Sequence, residues 1–117
     1  MLGSVFTHML PDDLEHYLLE IYRVLKRGGR CLITYFLLNG ESLRLIETGE
    51  STLDLKYVFD RYRTTSRWAP EQAIAFDESW IRDLYRKVGL KVLRLDYGSW
   101  CAREDYLSYQ DLILGVK

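Results

Sequence analysis

The sequence is poor in the features that mark several functional classes. Its 117 residues include only two cysteines and two prolines, and sixteen basic side chains against seventeen acidic ones leave a formal net charge of −1. Cys31 lies in an apolar run and Cys101 in a polar stretch, with no CxxC pair and no Cys/His cluster. That excludes a disulfide framework and a zinc site, and it points to a reducing, cytoplasmic setting. A near-zero charge gives no field to draw the chain onto nucleic acid or an anionic membrane. No apolar run approaches the roughly 20 residues of a membrane span. The amino terminus also lacks the basic start and long apolar core of a signal peptide. The expectation is therefore no metal, no nucleic acid and no membrane. What remains, 48% apolar and 28% charged, is the composition of an ordinary globular domain.

Ser4 to Leu10 is a short apolar and hydroxyl-rich stretch holding Phe6 and His8. Asp12 and Glu15 then form a capping box for a helix whose apolar face is Leu14, Tyr17, Leu18, Ile21, Val24 and Leu25, spaced three and four apart. Lys26 and Arg27 suit its last turn, and Gly28-Gly29 supplies the left-handed ending. Cys31 to Leu38 follows with almost no polar interruption, which reads as one strand covered on both faces. Asn39 caps a short helix through Ser42, Leu43 and Ile46 that Gly49 stops. Ser51 to Ala69 reads as an irregular insert with room for a short strand. Pro70 begins a connection to a helix capped by Asp77, carrying Trp80, Ile81, Leu84, Tyr85 and Val88 and closed by Gly89. Leu90 to Tyr97 alternates as an outer strand, and Gln110 to Val116 is a last one. Strands separated by helices imply a parallel sheet, while the final pair favours antiparallel pairing.

That order resembles the second half of the class I, Rossmann-like S-adenosylmethionine-dependent methyltransferase fold, of the type 11 and type 25 kind. Ser4-Val-Phe-Thr-His-Met-Leu-Pro looks like the segment leaving the family's fourth strand. Tyr17 to Arg30, with Arg-Val-Leu-Lys-Arg-Gly-Gly at its end, is similar to the family's E-x-x-R-V-L-K-P-G-G, Arg27 standing where proline is usual. Cys31-Leu-Ile-Thr-Tyr-Phe resembles the fifth strand and Gln110 to Val116 the seventh. The resemblance implies an α/β fold: a partial Rossmann-like methyltransferase sheet with strands resembling the end of the fourth, then the fifth, seventh and sixth. The seventh is antiparallel, and helices flank the sheet. Residues 1–117 would be one domain, the carboxyl-terminal portion of a methyltransferase domain. The family's glycine-rich cofactor loop is not here: no G-x-G-x-G occurs, and Gly28-Gly29 follows a helix where that loop would precede one. A truncated gene, a fragment, or a second polypeptide supplying the rest would each account for this.

The same resemblance places Ser4, Val5 and Phe6 beside the cofactor's methionine portion and Thr7 and His8 beside the acceptor. His8 suits a general base or a solvated loop histidine. Tyr35 and Trp100 are further candidates for the acceptor pocket, the alternative being core packing. Arg61, Arg63 and Arg67 among aromatics suit an anionic substrate or a solvated face. Neither cysteine has a neighbouring base. The implied activity is methyl transfer to a small-molecule acceptor, with S-adenosylmethionine as cofactor and little activity from this half alone. The alternative is a non-catalytic half-domain that self-associates through an exposed strand edge, so a homo-oligomer is expected.

Overall fold

The computed structural model describes the backbone of residues 2–5 and, in full, residues 11–51, 55, 57–59, 61–64, 74–101 and 110–117. Among the described residues eleven elements follow one another: β1 (Leu2–Val5), α1 (Pro11–Val24), β2 (Arg30–Tyr35), β3 (Leu37–Leu38), α2 (Gly40–Glu47), β4 (Tyr57–Phe59), β5 (Tyr62–Thr64), β6 (Ile74–Asp77), α3 (Glu78–Val88), β7 (Lys91–Asp96) and β8 (Asp111–Val116).

The first sheet has the order β1-β2-β8-β7. β1 and β2 are parallel, and β8 lies antiparallel between β2 and β7. This is the expected arrangement: a partial methyltransferase-like sheet, mixed α/β, with the last strand inserted antiparallel. Leu14, Leu18 and Ile21 of α1 and Ile81, Leu84, Tyr85 and Val88 of α3 bury themselves against Cys31, Ile33, Tyr35 and Ile113. Side chains on a strand alternate between faces, so this one contact layer selects every second residue of β2 and β8.

Several local expectations need correction. The run from Cys31 to Leu38 is not one strand covered on both faces. It breaks at Phe36 into β2 and β3, which belong to different sheets. Burial along β2 alternates, with Leu32 and Thr34 half-buried, because the described helices α1 and α3 pack on the opposite side. The insert and the connection after Pro70 hold three strands, and with β3 they form a second sheet ordered β3-β6-β5-β4. α1 starts at Pro11, so Asp12 lies inside its first turn and does not cap it. Tyr17 and Val24, expected on its inner face, are 41% and 59% exposed. Tyr22 takes their place against the core. Asp77 holds the N-cap position of α3 without a side-chain cap bond. Asn39 caps α2 as expected: its side chain accepts from Ser42 N–H, and Ser42 Oγ accepts from Asn39 N–H. Gly89 ends α3 at φ +98°, and an added Cβ there would come within 2.9 Å of Tyr22. Glycine is required at that position.

Asp111 ties the two sheets together. Its carboxylate is fully buried at the first position of β8. Oδ2 accepts from Leu37 N–H at 2.7 Å and from the Trp100 indole N–H at 2.9 Å, while Oδ1 accepts from Gly98 N–H at 2.5 Å. The three donors come from β3 and from the turn after β7. A carboxylate in this position suits a site where several backbone donors would otherwise be buried unpaired. Asp111→Ala is expected to lower unfolding stability by about 3–5 kcal/mol, since it removes a buried hydrogen bond from each of three donors at once. Urea unfolding checks this, and a loss under about 1 kcal/mol would contradict the role given to the carboxylate.

Candidate functional site

β1, β2 and β7 run in one direction, because β8 is antiparallel to both β2 and β7 and β1 is parallel to β2. Their carboxyl ends, at Val5, Tyr35 and Asp96, therefore lie along one edge of the sheet. In open sheets of this kind ligands gather at that edge. Two clefts belong to it. One, of about 290 Å³, is lined by Asn39, Gly40, Glu41, Glu78 and Tyr97, which begin α2, begin α3 and follow β7. The other, of about 460 Å³, is lined by Pro11, Asp12 and Asp13 at the start of α1 and by Tyr62 of β5. A third hollow, around Leu90, Lys91 and Val92, opens where β7 begins, at the opposite end of the strand.

Glu78 organises the first cleft. Its Oε1 accepts from the Tyr97 hydroxyl at 2.7 Å and from Asn39 Nδ2 at 3.1 Å, and its Oε2 accepts from Arg82 Nε at 3.0 Å. Partial burial alone would raise the carboxyl's pKa. The bonds from Tyr97, Asn39 and Arg82 and the Arg82 charge outweigh it, so Glu78 titrates below the usual carboxylate range. Burial and the bonded carboxylate push the Tyr97 phenol up. Asn39, Glu78 and Tyr97 thus form a fixed polar wall with an ionised carboxylate in its centre. Such a wall can accept hydrogen bonds from hydroxyl or N–H groups of a ligand. Beside the second cleft, Tyr62 stacks on Phe59 with ring centroids 4.9 Å apart and planes 8° from parallel. Asp12 and Asp13 add carboxylates opposite that aromatic wall.

The residues expected at the site fall only partly among the described residues. Ser4 and Val5 end β1, in register with Ile33 and Thr34 of β2. Phe6, Thr7, His8 and Arg67 lie outside the described residues. Tyr35 and Trp100 line neither cleft, because both are fully buried. The Tyr35 hydroxyl is 2.6 Å from that of Tyr85, and burial pushes both phenols up. Trp100 donates to Asp111 and packs on Phe36 at 5.4 Å in a second core with Leu38, Leu45, Leu55, Ala75 and Cys101. Both are core aromatics among the described residues. Arg61 is exposed, Arg63 lies half-buried on β5, and both cysteines are buried, with burial raising the Cys31 thiol. Glu78, Asn39 and Tyr97 went unread as a site. Asn39 carried a helix-cap signal, but nothing local brings positions 39, 78 and 97 together.

No family model matches the chain. Its fold is similar to that of the Burkholderia thailandensis 1,6-didemethyltoxoflavin-N1-methyltransferase, solved with 1,6-didemethyltoxoflavin and S-adenosylhomocysteine bound. The TM-score is 0.56 at 17% identity, over 98% of this chain and 43% of that one. The chain therefore spans less than half the length of the enzyme it resembles. The likeness establishes the fold, a part of a methyltransferase-like α/β sheet. Among the described residues no helix is long and apolar enough to cross a membrane.

Among the described residues no run of glycines stands between a strand and a helix, and Gly40 opens α2 alone. Gly28 and Gly29 follow α1.

The pH dependence of the Glu78 wall has a definite sign. A carboxyl whose pKa is lowered by folding adds stability above its unfolded pKa and loses it as pH falls through the folded value. Glu78→Gln is expected to be less stable than wild type at neutral pH, with the difference fading in acid. Thermal unfolding across pH 7 to 3 checks it; a constant difference would contradict the ionised wall.

Proposed function

We propose that this chain is the carboxyl-terminal half of an S-adenosylmethionine-dependent methyltransferase whose complete enzyme methylates a small-molecule acceptor. The carrying observation is the sheet order β1-β2-β8-β7 with β8 antiparallel. It is supported by likeness in fold to an enzyme solved with S-adenosylhomocysteine. In this reading residues 1–117 are one portion of a larger domain. The resemblance gives Ser4, Val5 and Phe6 to the cofactor side and Thr7 and His8 to the acceptor side; of these, Ser4 and Val5 are among the described residues and end β1 at the carboxyl edge. The clefts at Glu78 and at Tyr62 extend the acceptor side. A sulfonium is already a strong electrophile, so the work left to protein is mainly alignment and exclusion of water. A polar wall held by Glu78 and an aromatic wall at Tyr62 suit that work. S-Adenosylmethionine is the cofactor of the complete enzyme, with its nucleoside held outside this chain.

Titration calorimetry with S-adenosylhomocysteine tests the division of labour. The chain alone is expected to give no heat at micromolar ligand, and micromolar binding would contradict the assignment of the nucleoside site elsewhere. The larger reading is tested by neighbouring genomic frames. One of them is expected to encode a strand followed by a glycine-rich loop and a helix; their absence from every adjoining frame would contradict it.

A second reading, that the half-domain serves assembly, is favoured by one specific observation. Half of the apolar residues on β2 and β8 join neither core.

A further inference from the structure

Asn39, Gly40, Glu41, Glu78 and Tyr97 line the cleft of about 290 Å³ where α2 and α3 begin, and no basic side chain is among them. The hydrogen bonds of this wall have a direction. Asn39 Oδ1 accepts from Ser42 N–H, so the amide is held with Nδ2 towards Glu78. The Tyr97 hydroxyl gives its one proton to Glu78 Oε1. To a ligand the Tyr97 oxygen is therefore an acceptor. The protons of both side chains point into the wall, and the wall presents mainly oxygens outward.

The charge of the cleft depends on where each ion stands. The Glu78 side chain is only 16% exposed. Arg82 bonds its Oε2 and interacts with the Tyr97 hydroxyl, but Arg82 lines the hollow at Leu90, Lys91 and Val92 and not this cleft. Glu41, exposed in the first turn of α2, adds a second carboxylate on the cleft's own side. Backbone N–H groups at the start of a helix draw anions. Here Glu41 and Glu78 occupy the first turns of α2 and α3 and offset both helix ends from within the protein. An incoming anion would meet two carboxylates. A cation would gain from them and from the ring of Tyr97, which is 36% exposed. We infer that the group received in this cleft is a protonated amine or another cationic nitrogen, so that the acceptor of the complete enzyme is a basic nitrogen compound. The inference rests on the methyltransferase reading and deepens it. A protonated nitrogen has no lone pair with which to attack a sulfonium. At this wall it is a handle that orients the acceptor, and a different atom takes the methyl group.

Nuclear magnetic resonance of the unaltered chain tests this with three probes of similar shape: benzylamine, charged at neutral pH, benzyl alcohol and benzoate. Benzylamine is expected to shift the Asn39 side-chain amide and the Gly40 and Tyr97 backbone amides, with a Kd on the order of 1 mM for so small a ligand. Benzyl alcohol and benzoate are expected to bind about tenfold more weakly or not at all. Glu78→Gln is expected to weaken benzylamine about tenfold, with circular dichroism verifying the fold. Glu41→Gln alters an exposed side chain and is expected to weaken it about threefold. Benzoate or benzyl alcohol binding as tightly as benzylamine would overturn the proposal. So would the absence of shifts at the cleft with any probe, or benzylamine binding indifferent to Glu78→Gln. The neighbouring genomic frames are read separately, so failure of this contact leaves the methyltransferase reading intact, while failure of that reading leaves the benzylamine result standing as binding alone.

Discussion

The passage of the chain from the first sheet into the second lies close to one carboxylate. The chain leaves the first sheet at Phe36 and enters the second at Leu37, and the Leu37 amide donates to Asp111 on a strand of the first. The same carboxylate takes the Gly98 amide and the Trp100 indole. Trp100, fixed in this way, closes the second core over Phe36. A surface ion pair such as Arg23–Glu20 or Arg86–Asp83 is screened by water and weighs little. A buried carboxylate serving three donors weighs several times more, because its loss removes three hydrogen bonds away from water. The magnitudes therefore point to Asp111 as the polar constraint at the junction, beside the apolar packing of Leu37, Ile74 and Phe76 with Ile33 and Tyr35.

The candidate site inherits its geometry from that junction. β3 leads to Asn39 at the start of α2, β6 leads to Glu78 at the start of α3, and β7 ends one residue before Tyr97. Phe76 N–H donates to Phe36 C=O, and Asp77 N–H to Arg61 C=O, so the β6 terminus is held from both sides. Only with β3, β6 and the exit of β7 fixed together can Glu78 receive bonds from Asn39 and Tyr97 at once. Structure at the junction thus becomes chemistry at the edge, where a carboxylate is kept ionised.

Much of the first sheet was legible in the sequence, and for a physical reason. Helical periodicity marked Leu14, Leu18 and Ile21, Gly89 marked an end, and Asn39 marked a beginning, all signals carried within a few residues. Helices between strands, followed by a strand pair without one, favoured antiparallel pairing of β7 and β8, and the resemblance to the methyltransferase sheet implied the place of β8 beside β2. The second sheet was not legible, since β3 to β6 are two to four residues long and too short to display a period. The break at Phe36 was hidden for the same reason: Tyr35, Phe36, Leu37 and Leu38 are all apolar, and what separates them is a bond to residue 111. Glu78, Asn39 and Tyr97 are ordinary residues until the junction assembles them. For Tyr35 and Trp100 composition could not decide between pocket and core, and fully buried partners, Tyr85 and Asp111, decided for the core.

Native-state hydrogen exchange followed by NMR tests the role of Asp111 most directly. If the carboxylate holds the junction, the amides of Leu37 and Gly98 and the indole N–H of Trp100 exchange together, with protection equal to that of the β2 and β8 amides. If any of the three exchanges through a local opening far faster than those strands, the two sheets are held by other contacts and the account of the fold is wrong at its centre.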